Sequence, residues 1–298
     1  MFLREFKNIF KKDLLPFYDE QEIDSFFFLT LENLHQMKRL DLALQPNFYI
    51  EKNEIQQWEQ VLKELKVYKP IQYILGTTEF CGLPFLVNEN VLIPRPETEE
   101  LVELIVKDCE LLPYTLAPNS KLKILDIGTG SGCIPIALKK FLPNAEVFAI
   151  DIFDKALEVA KKNAIANQVT INFIQADILK VYDLQNFSTP NFPLSTSFDI
   201  IVSNPPYVRM LEKTEISPNV LEYEPHLALF VEDNDALLFY RKIANLAKNS
   251  LKPNGKLYFE INQYLGKETL ALVESYGFKN CELHKDIYGN DRMIKCNI

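Results

Sequence analysis

Residues Asn204-Pro205-Pro206-Tyr207 follow the apolar run Ile200–Val202 and combine three groups that could bind a planar amine. The apolar, β-branched run predicts a buried strand. Because Asn204 and Pro205 each precede a proline, the chain after that strand is held in an extended conformation. An amide side chain, a proline carbonyl and an aromatic ring suit a substrate –NH2 group, which has two protons to donate and a flat face. An ordinary turn after a core strand is the alternative at this point.

A second segment, Asp126-Ile127-Gly128-Thr129-Gly130-Ser131-Gly132, is rich in glycine and follows another apolar run. Its glycines allow the backbone to approach a ligand closely at the start of a helix. Asp151 ends the next predicted strand, where a carboxylate can accept hydrogen bonds from ribose hydroxyls. The strand after that ends in Ala176-Asp177-Ile178, beside the place expected for an adenine. Together these residues predict an adenosine-type cofactor, with a glycine loop that binds nothing as the alternative.

Alternating strands and helices from residue 121 onward are expected to position both segments. Strands are predicted at Lys123–Ile127, Val147–Ile150, Asn172–Gln175, Ile200–Ser203, Lys256–Ile261, Cys281–Lys285 and Met293–Asn297. Helices are predicted at Cys133–Phe141, Lys155–Ala166, Ala236–Ser250 and Lys267–Tyr276. This pattern predicts an α/β, Rossmann-like domain with a mostly parallel seven-stranded sheet whose last strand is antiparallel. Since open α/β sheets bind ligands at the carboxyl ends of their strands, we expect the two segments to share one edge.

Three regions are predicted along the chain: 1–70, 71–95 and 96–298. In the first, apolar residues recur at helical spacing, as in Phe26–Leu34 and Ile55–Leu65, which predicts a small helical domain. The middle region predicts a β-hairpin linker, because its apolar residues alternate as in two short strands, at Ile71–Gly76 and Phe80–Val87.

The third region is expected to be the ligand-binding domain. It opens with a helix from about Thr98 to Leu112, after the two prolines that flank Arg95. Residues 188–197 are rich in Ser, Thr, Pro and Asn and predict a loop.

Placing Asn204 on the same rim as Gly128 and Asp151 suggests a reaction. An –NH2 group held by Asn204 would face the reactive part of an adenosine cofactor, and the economical reaction is methyl transfer from S-adenosylmethionine to nitrogen. A dinucleotide-linked oxidoreductase is less favoured, since its fingerprint needs Gly or Ala where this chain has Cys133. A DNA adenine methyltransferase that flips its target base and a non-catalytic adapter with the same fold stay open.

Composition and charge limit the classes of binding partner that the sequence predicts. The net charge of −9 argues against sequence-independent binding of nucleic acid, which depends on neutralising phosphates. The five scattered cysteines contain no C-x-x-C pair and predict reduced thiols in a cytoplasmic protein. The three histidines show no metal-ligand spacing, and no apolar run approaches the length of a membrane span, so neither a metal nor a membrane is expected.

From about Pro70 to its end, the chain resembles the release-factor glutamine N5-methyltransferases (the PrmC/HemK family). The segments that carry the resemblance are Pro70–Gly76, Leu92–Glu99, Asp126–Gly132, Ser203–Tyr207, Glu224-Pro225 with Ala228-Leu229, and Lys285–Arg292. Asn-Pro-Pro-Tyr alone is shared with amino-methyltransferases in general, whereas its combination with Ile-Pro-Arg-Pro-Glu-Thr-Glu is specific to this family. The resemblance implies methylation of the glutamine in the Gly-Gly-Gln motif of peptide-chain release factors, with S-adenosylhomocysteine as the second product.

The resemblance also implies roles for individual residues. The cofactor would be bound by Gly128, Thr129, Gly130, Ser131 and Gly132 at its methionine end, by Asp151 at the ribose, and by Asp177, Ile178 and Asn204. The catalytic, substrate-binding residues would be Asn204, Pro205 and Tyr207, with Pro206 shaping the same site. Residues 1–70 would help to hold the release factor.

Overall fold

The computed structural model describes residues 1–110, 121–184 and 197–298 of the chain. Its helices are α1 Leu3–Leu14, α2 Glu20–His35, α3 Arg39–Leu44, α4 Lys52–Leu65, α5 Ile71–Leu75, α6 Pro96–Glu110, α7 Cys133–Phe141, α8 Asp154–Ala166, α9 Pro218–Tyr223, α10 His226–Leu229, α11 Leu238–Ser250 and α12 Gly266–Ser275. Its strands are β1 Thr77–Phe80, β2 Leu83–Leu86, β3 Lys123–Ile127, β4 Glu146–Asp151, β5 Asn172–Gln175, β6 Phe198–Ser203, β7 Val208–Arg209, β8 Phe230–Val231, β9 Leu251–Glu260, β10 Lys279–Lys285 and β11 Asp291–Asn297. Short 3-10 helices lie at Ile178–Lys180, Met210–Glu215 and Asp233–Asp235.

The chain divides into two compact units. The first contains Met1–Gly76 and Ser217–Tyr223, and the second contains Thr77–Ile216 and Glu224–Ile298. The first unit is helical, as the sequence predicts. The boundaries drawn from the sequence between functional domains stay a prediction.

The core of the first unit forms around Trp58. Apolar residues spaced three or four apart bury one face of α1 and one face of α4, because that spacing places them on the same side of a helix. The Trp58 indole is fully buried, packs against Phe27 and donates a hydrogen bond of 3.0 Å to Nε2 of His35. Helix α9 joins this unit through the Tyr223 hydroxyl, which donates to the carbonyl of Val67 at 2.7 Å.

The prediction of a strand at Ile71–Gly76 is wrong, because residues Ile71–Leu75 form helix α5. The Pro70 carbonyl accepts hydrogen bonds from the amides of Tyr73 and Ile74, and Gly76 ends the helix with a φ of 73°. A short apolar run does not distinguish a strand from a buried helix, so periodicity alone cannot decide here. A hairpin does form in this region, but it pairs Thr77–Phe80 (β1) with Leu83–Leu86 (β2) and not the two predicted strands. Its two loop residues both have positive φ, as the turns that suit a twisted hairpin require.

The second unit contains the predicted sheet. Its seven strands are arranged in the order β10-β11-β9-β6-β3-β4-β5, and β11 runs antiparallel to both of its neighbours. Alternate residues of β3 face opposite sides: Ile124 packs in the core layer with α6, α7 and α8, whereas Leu125 packs in the layer with α11 and α12. The α/β, Rossmann-like fold class is confirmed.

The strand ends that matter for ligand binding are aligned. Ile127 at the end of β3 pairs with Ser203 at the end of β6 and with Ile150 of β4. Asp151 at the end of β4 pairs with Gln175 at the end of β5. The carboxyl ends of four adjacent parallel strands therefore form one edge of the sheet.

Two predicted features fall partly or wholly outside the described residues. Helix α6 is observed as Pro96–Glu110, and the end predicted at Leu112 lies beyond the described range. The loop predicted at 188–197 is likewise outside it, except for its last residue. Within the described parts of the chain, every helix is too short or too polar to cross a membrane.

Candidate functional site

A cavity of about 280 Å³ opens at the carboxyl ends of β3, β4, β5 and β6, within the second unit. Its wall is formed mainly by apolar side chains and by backbone. The residues predicted from the sequence that line it are Gly128, Gly130, Asp151, Asp177, Ile178, Asn204, Pro205 and Pro206. Segments outside those strands complete the wall, namely Asn90–Leu92 on one side and Pro225 with Leu227 and Ala228 on another.

The glycine loop Gly128–Gly132 is anchored to the neighbouring strand. The amides of Gly128 and Thr129 both donate to the carbonyl of Ile150, at 2.8 and 3.0 Å. Gly128 has a φ of 81°, and a Cβ added there would lie 3.9 Å from the backbone oxygen of Asn204. The loop therefore brings bare backbone to the cavity wall directly beside the Asn-Pro-Pro-Tyr segment.

Gly132 has a packing role that the sequence does not reveal. A Cβ at this position would lie 3.0 Å from Cβ of Ala160 and 3.0 Å from Cδ1 of Ile136. Thr129, Ser131 and Gly132 are not among the described residues that line the cavity. Their predicted cofactor contacts stay a prediction, while the glycine at 132 is already explained by the close approach of α7 and α8.

Asp151 connects the end of β4 to the loop. One carboxylate oxygen accepts from the Gly130 amide at 2.8 Å, and the other accepts from the Phe153 amide at 2.9 Å. Burial raises the pKa of this carboxyl, and the backbone donors oppose that shift. Each oxygen keeps a further lone pair, so Asp151 can still accept hydrogen bonds from a bound diol.

Asp177 and Ile178 line the cavity where β5 ends. The Asp177 carboxylate accepts from the amide of Leu179 at 3.0 Å and pairs with the exposed Lys180 at 3.1 Å. Ile178 is 92% buried and offers an aliphatic surface, without an aromatic ring for stacking.

Three polar side chains of the loop region, those of Asp126, Thr129 and Ser131, are buried. Among the described residues, no hydrogen bond of normal geometry reaches either carboxylate oxygen of Asp126 or the hydroxyls of Thr129 and Ser131, although Thr129 is close enough to lower the pKa of Asp126. Burial raises the pKa of Asp126 to about 7. An unpaired buried carboxylate is costly in an apolar core but is stabilised by a nearby cation. The loop therefore fits a positively charged cofactor that approaches through its glycines.

The Asn-Pro-Pro-Tyr segment is held by a buried hydrogen-bond network. Nδ2 of Asn204 donates to Oγ1 of Thr98 at 3.3 Å, and the Thr98 hydroxyl donates to Oε2 of Glu260 at 2.6 Å. The Tyr207 hydroxyl donates to the other oxygen of Glu260 at 3.0 Å. No described residue donates to Oδ1 of Asn204 or to the carbonyl of Pro205. Two acceptors beside the cavity are thus available to a ligand.

The side chain of Tyr207 packs into the core of the second unit. It is not among the described residues that line the cavity, and its ring packs against the core layer of α11 and α12. Its hydroxyl is engaged by Glu260, and burial together with that carboxylate raises its pKa. Stacking of this ring on a substrate amide stays a prediction.

Sequence reasoning missed the residues that hold the site from outside it. Thr98 and Glu260 are 162 positions apart, and no local pattern joins them. Similarly, the Arg95 guanidinium pairs with the buried carboxylate of Glu224, which also accepts from the amide of Ile93 at 3.2 Å. This contact joins the two segments, around residues 90–95 and 224–228, that complete the cavity wall. In the sequence, Arg95 and Glu224 are marked only by the proline-rich and Glu-Pro motifs that contain them, and neither motif indicates that the two residues form a pair.

Two family models match the chain. One, described as "Methyltransferase domain", covers residues 118–287, which is more than half of the chain. The other, described as "PrmC N-terminal domain", covers residues 18–76.

Curated relatives match over almost the whole length. The release factor glutamine methyltransferase of Flavobacterium psychrophilum is 60% identical over 297 residues, covering 100% of this chain and 99% of that protein. The protein of the same name from Bacteroides thetaiotaomicron is 42% identical, covering 96% of this chain and 97% of the relative. That from Streptococcus pneumoniae is 40% identical, covering 96% and 94%.

Proposed function

The chain belongs to the release factor glutamine methyltransferase family, and on that basis we propose that it methylates the side-chain nitrogen (N5) of the glutamine in the Gly-Gly-Gln motif of peptide-chain release factors. S-adenosylmethionine is the methyl donor and S-adenosylhomocysteine the second product. Family membership decides against the DNA adenine methyltransferase, oxidoreductase and adapter alternatives.

The observation that carries this proposal is the pair of acceptors beside the glycine loop. The side-chain oxygen of Asn204 and the carbonyl of Pro205 follow β6 directly, and a Cβ added at Gly128 of the loop would lie 3.9 Å from the backbone oxygen of Asn204. A primary amide has two N–H groups, so two acceptors fix both its position and its orientation. An amide nitrogen held there faces the part of the cavity bounded by the glycine loop.

The proposed methyl transfer does not need a strong general base. An amide nitrogen is a weak nucleophile because its lone pair is delocalised into the carbonyl. Accepting both N–H groups at Asn204 and Pro205 makes the nitrogen more electron-rich and directs it at the methyl group. Holding two reactants in line can lower a barrier by several kcal/mol, up to about 7–11 kcal/mol in favourable cases.

Bound S-adenosylmethionine supplies an electrophilic methyl group on a positively charged sulfur. Asn204 and Pro205 would hold the glutamine nitrogen that receives this methyl group, with the sulfur of the donor as the leaving group. The nitrogen then loses one proton to water.

The residues of the glycine loop serve the cofactor. Gly128 and Gly130 allow close approach to its methionine end, and Asp151 accepts from the ribose hydroxyls. Ile178 provides an apolar surface for the adenine, with Asp177 beside it. The buried carboxylate of Asp126 favours the positive charge of the donor over a neutral product.

The helical N-terminal residues 1–70 help to hold the release factor in this proposal. The match of residues 18–76 to the PrmC N-terminal domain supports that assignment. A cytoplasmic location is proposed as well, in keeping with five cysteines that all carry free thiols.

The direct test incubates the protein with S-adenosylmethionine and a purified release factor, then locates the added methyl group by peptide mass mapping. The expected result is one methyl group on the glutamine of the Gly-Gly-Gln peptide. A release factor in which that glutamine is replaced by alanine is the matched control and should stay unmodified. Methylation elsewhere, or transfer to an adenine-containing DNA instead, would overturn the proposal.

A further inference from the structure

We propose that Thr98 and Glu260 are positioning residues that fix which end of the Asn204 side-chain amide meets the substrate. This inference rests on the proposed function, because it concerns how the acceptor amide is held. It gives a role to a threonine of the proline-rich segment and to a glutamate at the end of β9.

The three residues come from three different elements. Asn204 follows β6, Thr98 lies in the first turn of α6, and Glu260 ends β9. The bonds that join them form one line, from Asn204 Nδ2 to Thr98 Oγ1 at 3.3 Å and from Thr98 Oγ1 to Glu260 Oε2 at 2.6 Å. Strand and helix packing therefore set the geometry, independently of the loop that carries Asn204.

The direction of these bonds follows from the chemistry of a hydroxyl. Thr98 has one proton to donate, and its short bond to the Glu260 carboxylate uses that proton. Toward Asn204 the hydroxyl therefore offers only a lone pair, which accepts from an N–H but repels a carbonyl oxygen. The NH2 end of Asn204 must face Thr98, and Oδ1 is left for the substrate.

Burial of Thr98 and Glu260 leaves only one favourable orientation for the side-chain amide of Asn204. Thr98 is 3% exposed and Glu260 is 2% exposed, so water does not offer a substitute partner to either group. Glu260 also accepts from the Tyr207 hydroxyl, which uses its second oxygen. Burial raises the pKa of Glu260, whereas its bonds from Thr98 and Tyr207 and the charge of Arg292 favour the ionised form. Both oxygens of Glu260 accept from hydroxyls, one from Thr98 and the other from Tyr207, so the proton of Thr98 points to Glu260 and not to Asn204.

If the amide of Asn204 were reversed, its NH2 group would face the N–H groups of the substrate glutamine. Two donors would then oppose each other where the proposed reaction needs a donor and an acceptor. The substrate nitrogen would be displaced from the line of attack, although the cofactor site would be unchanged.

Replacing Thr98 tests this directly. Thr98→Val keeps the branched shape but removes the hydroxyl, and Thr98→Ser is the matched control that keeps the hydroxyl. With a release factor as substrate, we expect kcat of Thr98→Val to fall about 10–100-fold, because small misplacements of reacting groups have effects of that size. The affinity for S-adenosylmethionine should stay within about twofold of the unaltered protein, and Thr98→Ser should restore kcat to within about threefold.

A merely structural role predicts a different pattern. If Thr98 only holds α6 in place, valine should serve as well as serine, and kcat should follow thermal stability. Equal kcat for the valine and serine variants would overturn the inference while leaving the proposed function intact. Failure of the unaltered protein to methylate any release factor would instead remove the proposed function.

Two further measurements make the inference independent of the substrate and of folding. The side-chain NH2 signals of Asn204 can be identified in nitrogen-15-labelled protein with bound S-adenosylmethionine, because they disappear in Asn204→Ala. The protons of this NH2 group should exchange slowly with solvent in the unaltered protein and in Thr98→Ser. They should exchange faster in Thr98→Val, and unchanged exchange would contradict the inference. Glu260→Gln should also lower kcat. In the double variant with Thr98→Val, the loss of kcat should be smaller than the product of the two single losses, because both substitutions break the same chain of hydrogen bonds. A fully multiplicative double variant would contradict the shared role.

Discussion

The glycine loop and the Asn-Pro-Pro-Tyr segment lie at the ends of two adjacent strands, β3 and β6. The two regions differ in how far their buried polar side chains are hydrogen-bonded. In the loop region, the carboxylate of Asp126 is buried without a hydrogen bond of normal geometry among the described residues. In the Asn-Pro-Pro-Tyr segment, Asn204 and Tyr207 are both held by bonds that lead to Glu260.

This difference corresponds to two kinds of ligand. The glycine loop brings backbone and the acceptor Asp151 to the cavity, so substitutions there are expected to act on the affinity for the cofactor. A neutral amide offers no charge to attract, and its reactivity depends on orientation. The loop is therefore built for affinity and the Asn-Pro-Pro-Tyr segment for alignment.

Asn204→Ala should give the largest effect and separate the two regions most clearly. Loss of one of the two acceptors should lower methyl-transfer turnover at saturating substrates by about 10²–10³-fold, as removal of a single preorganised hydrogen bond at a reacting group does. Steady-state assays with a release factor measure it. Asn90→Ala is the control, since Asn90 also lines the cavity but bonds only to Asn88 among the described residues. Equal losses in both variants would contradict a special role for Asn204.

Asp151→Ala should affect the glycine-loop region and lower the affinity for the cofactor. It removes the partner of the Gly130 amide as well as the proposed ribose acceptor, and hydrogen bonds to charged groups contribute about 1.5–3 kcal/mol. We expect the affinity for S-adenosylmethionine, measured by calorimetry, to fall roughly tenfold to a hundredfold. Asp177→Ala should weaken binding less, because that carboxylate is paired with the exposed Lys180. An unchanged affinity in Asp151→Ala would refute its role.

Substitutions of two glycines should distinguish affinity from stability within the loop itself. At Gly132, an added Cβ meets Ala160 and Ile136 at 3.0 Å, and φ is 82°, so Gly132→Ala should lower the free energy of unfolding by about 1–3 kcal/mol. At Gly130, φ is 53° and an added Cβ meets no described atom within 4 Å. Gly130→Ala should therefore lose cofactor affinity more than stability. Denaturant unfolding and calorimetry measure both, and the reverse pattern would contradict these roles.

Asp126→Asn should have the smallest effect, visible mainly as a pH dependence of stability. The folded protein raises the pKa of this carboxyl from 3.8 to about 7, so the folded state binds the proton more tightly than the unfolded state. This contribution to stability is therefore complete below about pH 4 and is lost as the pH rises through 7. The asparagine variant does not titrate, so its melting temperature should exceed that of the unaltered protein by a few degrees above pH 7 and by less near pH 4. Thermal unfolding at the two pH values checks this, and a difference that shrinks with rising pH would contradict it.

Much of the fold follows from local patterns. Strand β3 and helix α7 begin and end where the hydrophobic pattern places them, because each is an apolar segment and a clear glycine-rich turn separates the two. Helix α5 was missed because its five residues are too few to distinguish the two periodicities. Pro70 before it and Gly76 after it were the signals that could have identified it.

The candidate site divides in the same way. Gly128, Asp151 and Asn204 follow predicted strands directly, so parallel pairing is enough to bring them together. Thr98 and Glu260 meet only because α6 packs on the sheet beside β9, and such a contact depends on three-dimensional packing that single-sequence patterns do not contain. Gly132 shows a role that its glycine-rich motif does not indicate, since an added Cβ there would meet Ala160 and Ile136 at 3.0 Å.

The affinity of Asn204→Ala for S-adenosylmethionine tests the division between alignment and affinity most directly. Isothermal titration calorimetry on this variant and on the unaltered protein measures it in the absence of any release factor. Because Asn204 acts in this account through the substrate amide and its predicted contact with the cofactor adds little affinity, the dissociation constant should change by no more than about twofold while turnover falls by about 10²–10³-fold. A loss of cofactor affinity as large as the loss of turnover would contradict the account.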